Sequence, residues 1–239
     1  MGSAVQGDNI RKEEILRILH ECGVILTNDH FVFKSWRHAP SYFNKDALYK
    51  HSIKAQPLYQ EIANHFFKSI PRLGRIEVIA APAIGGALLA QNVGRLLSSL
   101  LSSFGSQKEI ITVFAEEESG GAKIFKRGYA KEVPDKNVLV LEDVLTTGDT
   151  ALAVIREVRR LKGKVVGLGV LCDRRDSISD ILDGIKILAL VTSKDLSYVD
   201  WSTFDEAECP LCRAGIPINI DVGKGREFLA RRCQAGKDN

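Results

Sequence analysis

The stretch VLVLEDVLTTGDT, residues 138–150, constrains this chain more than any other segment. Val138, Leu139, Val140 and Leu141 form an apolar, β-branched run without alternation, the pattern of a strand buried on both faces of a parallel sheet. The character then flips. Glu142 and Asp143 place two carboxylates at the strand's carboxyl end, where open α/β sheets hold their ligands, and Thr146, Thr147, Gly148, Asp149 and Thr150 follow as a small hydroxyl-rich turn. Ala151, Val154, Ile155, Val158 and Leu161 then recur at helical spacing, so the turn opens a helix.

A helix start presents unbonded backbone N–H groups and a positive dipole end, and a glycine lets the chain close around an anion. The turn therefore suits a phosphate, with the hydroxyls of Thr146, Thr147 and Thr150 as further donors. Two carboxylates beside it would repel a bare polyphosphate but suit the neutral hydroxyls of a sugar, so the pair and the turn together suit a ribose 5-phosphate. No GxxxxGK[ST] or GxGxxG string occurs, which argues against a P-loop ATPase and a dinucleotide fold.

A second segment, IEVIAAPAIGGALLA, repeats the design. A strand over 76–80 leads into Pro82, Ala83, Ile84, Gly85 and Gly86 and then a helix carrying Leu88, Leu89, Val93, Leu96 and Leu97. Two such units in one sheet offer two anion sites along one carboxyl edge. Further apolar runs predict strands over 110–115, 165–171 and 185–191, giving an α/β chain with a parallel central sheet and right-handed crossovers. The second of these strands ends in Cys172, Asp173, Arg174 and Arg175, again at the ligand edge. Helices are expected over 10–22 and from near Pro57 to 70.

Two segments look suited to charged ligands. HFVFKSWRHAPSYFN, residues 30–44, mixes rings with Lys34, Arg37 and His38, a composition that can sandwich a flat anion, although aromatic residues also serve as core. EEESGGAKIFKRGY, residues 116–129, is a charged glycine-containing loop whose Lys123, Lys126 and Arg127 are placed to close over a pyrophosphate.

Bulk properties exclude several classes. The 239 residues suit one domain, and 45% apolar with 26% charged residues is ordinary for a globular protein. A net charge of +3 gives no basis for nucleic-acid binding, and with no membrane-length apolar run and no signal-peptide core the chain is expected to be cytoplasmic. Five cysteines supply no disulfide framework. Cys209 and Cys212 form a CPLC turn, but no second CxxC or paired histidines follow; Cys172 and Cys233 are the only loose partners, so a packed turn without a dedicated metal is expected.

The 138–150 string resembles the PRPP-binding signature of the type I phosphoribosyltransferases. From about residue 30 to 217 the chain is similar to the bacterial orotate phosphoribosyltransferases that carry APAIGG and a CPLC turn. The resemblance implies a type I phosphoribosyltransferase fold in one domain over 9–225: a core of about 71–193, a hood from about 9–70 and 194–225, and tails at 1–8 and 226–239. It implies orotate contacts from Lys34, Tyr42, Phe43 and Arg174. Glu142 and Asp143 would hold the ribose, Thr146, Thr147, Gly148, Asp149 and Thr150 the 5-phosphate, and Ala83, Ile84 and Gly85 the pyrophosphate. Asp143 with Lys123, Lys126 and Arg127 would be catalytic, Mg²⁺ would be carried mainly by PRPP and water, and the enzyme would be a homodimer.

Two positions depart from the family pattern. Trp36 stands where the family has glycine, which predicts a rerouted turn, and Glu117 stands where the mobile loop has lysine, which opposes pyrophosphate. A transferase for another base, as in purine salvage, and a non-catalytic PRPP sensor are the alternatives. A sensor acting on nucleic acid would need a helix-turn-helix or a basic stripe, and neither is visible.

Overall fold

The computed structural model describes residues 11–73, 75–175 and 181–235; the predicted 1–8 tail lies outside them. The chain divides into two compact units, Met1–Ile18 with His51–Asp195, and Leu19–Lys50 with Leu196–Asn239. The helix predicted over 10–22 is α1 (Lys12–Glu21), with Ile15, Ile18 and Leu19 buried along its apolar stripe. No helix among the described residues is long and apolar enough to cross a membrane.

The remainder of the first chain segment and the C-terminal segment build the second unit. Its strands are β1 (Ile25–Leu26), β2 (Phe31–Val32), β3 (His38–Ala39) and β4 (Tyr42–Phe43), paired β1 with β4 and β2 with β3, all antiparallel. α2 (Lys45–Tyr49) follows them.

In the first unit, α3 (Ser52–Leu73) precedes β5 (Val78–Pro82), α4 (Gly85–Ser103), β6 (Ile111–Glu117), β7 (Lys123–Ile124), β8 (Asn137–Leu145), α5 (Asp149–Arg160), β9 (Lys164–Asp173), β10 (Ile181–Leu182) and β11 (Ile185–Thr192). The sheet order is β10-β11-β9-β8-β5-β6-β7. The five inner strands are parallel, as predicted, while the short β7 and β10 add antiparallel edges, which makes the sheet mixed.

Side-chain alternation sorts the sheet's two faces. Val138, Val140, Leu168 and Val170 pack with Val154, Ile155 and Val158 of α5 in one buried cluster. On β9 the alternate positions are Gly167 and Gly169, and a methyl built on Gly169 would lie 2.7 Å from Leu141 and 2.8 Å from Phe66 of α3. The glycines thus make room for a ring to lie against the sheet. α3 was expected to belong to the hood; it instead packs on α4 and β9 in the first unit. Pro57, read as its start, sits inside a helix that already begins at Ser52.

In the second unit, α6 (Pro210–Arg213) follows the CPLC turn and α7 (Gly225–Ala235) lies where a tail was expected. Phe228 of α7 is buried, its ring packed edge-to-face with that of His38 at a centroid distance of 4.8 Å. Long-range hydrogen bonds tie the two segments of this unit together: Asn219 N–H donates to His30 O at 2.8 Å, and Arg37 donates to Thr203 Oγ1 at 2.9 Å and to Asp205 at 2.8 Å. The turn at Trp36 is not rerouted as expected. Trp36 itself takes φ +64, a conformation costing a non-glycine residue about 1 kcal/mol, while its ring faces Phe228 and lies 5.4 Å from the Arg231 guanidinium.

Gly169→Ala should overpack the β9–α3 interface by about 1–3 kcal/mol, which for a chain of this size lowers Tm by several degrees. Thermal melts monitored by circular dichroism would check this; an unchanged Tm would mean that Phe66 moves aside freely.

Candidate active site

Four loops leave neighbouring parallel strands at one carboxyl edge, in the order β9, β8, β5, β6. Parallel register puts these ends level: Leu145 of β8 pairs with Asp173 of β9, and Pro82 of β5 with Ala115 of β6. Backbone bonds join the loops themselves, Arg174 N–H to Leu145 O at 2.8 Å and Ala83 N–H to Ala115 O at 2.9 Å.

The acidic pair lies deeper than expected. β8 continues through Glu142 and Asp143 to Leu145, so the carboxylates sit within the strand and are 4% and 2% exposed. Glu142 Oε1 accepts the Asp143 N–H at 3.1 Å, and Asp143 Oδ1 accepts the Val144 N–H at 2.8 Å. Holding two carboxylates this far from water is expensive for a fold, and such groups are kept where they have charge or hydroxyls to meet.

Gly148, at φ +92, turns the chain from β8 into α5, and no side-chain cap from it closes that helix start. Leu182 of β10 lies beneath the turn, 3.3 Å from where a β-carbon on Gly148 would be. Thr147 Oγ1 donates to Asp149 Oδ2 at 2.7 Å and accepts the Asp149 N–H at 3.3 Å, while Thr146, Thr147, Asp149 and Thr150 are exposed. The result is a rigid, solvent-facing cup of backbone N–H groups and hydroxyls at a helix N-terminus, suited to a phosphate.

The neighbouring loop repeats this at α4, whose cap position is Ile84, again without a side-chain cap. The Ala83–Ile84 peptide is cis, Ile84 is exposed, and Gly85 and Gly86 begin the helix. A methyl on Gly86 would come within 2.7 Å of the Pro82 ring, so the loop is packed closely against its own strand. Ala83, Ile84 and Gly85 thus form a second helix start without a side-chain cap at this edge.

Beyond β9, Arg175 grips Asp173 in a two-pronged ion pair, Nη2 to Oδ2 at 2.6 Å and Nε to Oδ1 at 2.9 Å. Sequence reasoning missed this pairing, although two adjacent arginines after an aspartate are its signal. It fixes the backbone that carries Arg174, which sits half-buried at the same edge.

The 116–129 segment is a β-hairpin of β6 and β7 rather than an open loop, with Glu117 directly opposite Lys123. All three cations have partners: Lys123 with Glu117 at 2.9 Å, Lys126 with Glu118 at 3.5 Å and Arg127 with Glu116 at 2.8 Å. Exposed pairs of this kind contribute only about 0.2–1 kcal/mol, so Lys126 and Arg127 exchange a glutamate for an incoming anion at small cost. Lys123 is the exception, its side chain being 7% exposed.

Lys34, Tyr42 and Phe43 lie in the second unit. Phe43 is buried opposite Ile25, and Tyr42 sits beside the rings of Phe31 and Phe33 at 5.5 and 5.8 Å. The other cations of that segment are structural, Arg37 through Thr203 and Asp205, and His38 through burial.

The neighbours of the CPLC turn differ from those expected. Cys172 is buried at the end of β9 with its thiol pushed up to about 12 by burial, and Cys233 is exposed on α7; the side chains that meet Cys209 and Cys212 are His30 and His38. The sequence signal was present as a histidine on either side of the β2–β3 hairpin.

A family model for the phosphoribosyl transferase domain matches residues 50–201. The chain is 33% identical over 208 residues to the orotate phosphoribosyltransferase of Desulforamulus reducens, covering 87% of this chain and 95% of that one. It is 33% identical over 210 residues to the enzyme of the same name from Thermoanaerobacter sp., covering 87% and 96%. Among solved structures it resembles the orotate phosphoribosyltransferase of Aeropyrum pernix, with TM-score 0.57 and 21% identity over 77% of this chain and 97% of that one. The Mycobacterium tuberculosis orotate phosphoribosyltransferase in complex with PRPP superposes with TM-score 0.53 and 17% identity, covering 78% and 98%. At such identities the structural likeness speaks for the fold, while the sequence matches carry the kinship: the chain belongs to the phosphoribosyltransferases, and among them to the orotate phosphoribosyltransferase family.

Proposed function

We propose that this protein transfers the 5-phosphoribosyl group of PRPP to orotate, giving orotidine 5′-phosphate and pyrophosphate in pyrimidine biosynthesis. The observation that carries the reading is the adjacency of β5 and β8, each delivering an uncapped helix start to one edge, with the buried Glu142 and Asp143 on the second strand. PRPP is a sugar with a phosphate at one end and a pyrophosphate at the other, and it matches that spacing of charge.

In this mechanism the residues 146–150 hold the 5-phosphate, and Ala83, Ile84 and Gly85, at the start of α4, face the pyrophosphate. Glu142 and Asp143 accept hydrogen bonds from the ribose hydroxyls, which orients C1 and favours the positive charge that develops on the sugar ring. Orotate N1 displaces pyrophosphate from C1 in one step through an oxocarbenium-like transition state, and the acceleration comes from alignment and charge stabilisation without a covalent intermediate. Lys123, Lys126 and Arg127 are the countercharges for the leaving group, with the glutamates of the hairpin as their resting partners. Arg174, half-buried at the carboxyl edge of β9, is assigned to the orotate carboxylate and ring oxygens. A homodimer and a cytoplasmic location belong to the same proposal.

Mg²⁺ would be carried mainly by PRPP oxygens and water, and the hard carboxylate oxygens of Glu142 and Asp143 at this edge are compatible with it nearby. It would supply neutralisation of the charge on the pyrophosphate.

The direct test is loss of orotate absorbance with PRPP and Mg²⁺, run beside purine bases. Turnover of orotate alone is expected; turnover of a purine, or PRPP binding with no turnover of any base, would replace the proposal with a salvage enzyme or a sensor. Asp143→Asn should lower kcat/KM for PRPP by roughly ten- to a hundredfold, the value of one charge-assisted hydrogen bond. Glu117→Gln should raise turnover by up to about fivefold by releasing Lys123 from its ion pair. A rate unaffected by Glu117→Gln and by Lys123→Met would remove Lys123 from the catalytic set.

A further inference from the structure

His30, His38, Cys209 and Cys212 each present a ligand atom to one point in the second unit, all four atoms lying within 4.8 Å of one another. His30 Nε2 is 3.7 Å from Cys209 Sγ and 3.8 Å from Cys212 Sγ, and His38 Nδ1 is 3.4 Å from Cys212 Sγ. The two ring nitrogens are 2.7 Å apart. From these residues we propose a structural zinc site of two thiolates and two imidazoles, which fastens the β2–β3 hairpin to the turn before α6.

The distances suit that ion. Tetrahedral zinc with bonds of about 2.3 Å to sulfur and 2.0–2.1 Å to nitrogen sets its ligand atoms about 3.3–3.8 Å apart. These three sulfur–nitrogen separations fall in or at the edge of that range; the nitrogen pair must open by about 0.6 Å, and the whole set, which spans up to 4.8 Å, must draw in slightly around the ion. The cysteines are both free thiols spaced as CxxC, with Pro210 at the first helical position so that Cys209 and Cys212 sit on one short turn. A hairpin does the equivalent job for the histidines, since His30 precedes β2 and His38 begins the antiparallel β3.

A second layer of contacts orients the ligands as metal sites require. His30 Nδ1 lies 2.8 Å from the Ile216 carbonyl, which accepts only an N–H, so the ring's other nitrogen carries the lone pair that faces the cysteines. His30, His38 and Cys209 are 1%, 0% and 0% exposed, and the Phe228 ring edge closes one side. Two imidazoles and two cysteine side chains in such a place satisfy one another poorly, because sulfur is a weak hydrogen-bond partner. A borderline-soft cation meets one lone pair from each of the four groups, which no hydrogen-bond scheme among them does, and two sulfurs with two imidazoles select zinc over Mg²⁺ or Ca²⁺. This site is separate from the residues assigned to PRPP.

Metal analysis of the full-length protein, purified under reducing conditions without added chelator, is the first test. About one zinc per chain is expected, with Cys209→Ser and Cys212→Ser losing it and Cys172→Ser and Cys233→Ser retaining it. Where a ligand variant fails to fold, the wild-type protein supplies the second measurement. After zinc is stripped and replaced by Co²⁺, thiolate-to-metal charge-transfer bands and the intense visible bands of a tetrahedral site should appear, and chelation should lower Tm. A folded wild-type protein that contains no zinc, gives no such Co²⁺ spectrum and melts alike with and without chelator would overturn the proposal. Neither readout depends on orotate or PRPP turnover.

Discussion

β8 is buried on both faces, and the positions of the candidate site follow from that burial. Val138 and Val140 are held by α5 on one side, Leu139 and Leu141 lie on the other, and all four are wholly inaccessible to water. At about 1.5–3 kcal/mol for each such side chain, a slip of one residue would exchange the two faces and forfeit much of the packing. The register with β5 and β9 is therefore set in the apolar half of the strand, and the acidic half has no choice of where to end. Glu142 and Asp143 are carried into the sheet edge by hydrophobic packing several residues away.

The same constraint places the anion-holding turns. Since β5 and β8 are neighbours in register, the loops that lead into α4 and α5 leave the same edge of the sheet, although the two helices then pack on opposite faces. Electrostatics is then divided between fixed and exchangeable parts. Backbone N–H groups and the Asp173–Arg175 pair are fixed, whereas Lys126 and Arg127 of the hairpin are held by Glu118 and Glu116 in surface ion pairs of the kind that exchange at small cost. Glu117, which alone would repel the leaving group, is neutralised from directly across the hairpin by Lys123.

Periodicity made much of this legible before any coordinates. The inner strands and the α5 stripe of Ala151, Val154, Ile155 and Val158 stand where alternation and helical spacing put them. What local pattern could not express depended on contacts distant in sequence. Glu142 and Asp143 read as the end of a strand because charged residues seldom continue one, yet pairing with β9 carries the strand past them. α7 read as a tail because its sequence is rich in arginine, and only the burial of Phe228 beside His38 shows why it is held. His30 and His38 were invisible as a pair because their meeting with Cys209 and Cys212 spans most of the chain. Trp36 shows the opposite error, in which a local rule about glycine was overruled by packing of the indole on α7.

A crystal structure with PRPP and Mg²⁺ bound tests the central claim most directly, because it locates both ends of one ligand against the two helix starts. The account predicts the 5-phosphate among the N–H groups and hydroxyls of residues 146–150, the pyrophosphate at residues 83–85, and the ribose hydroxyls on Glu142 and Asp143. A 5-phosphate bound away from the start of α5, or a ribose out of reach of both carboxylates, would contradict it.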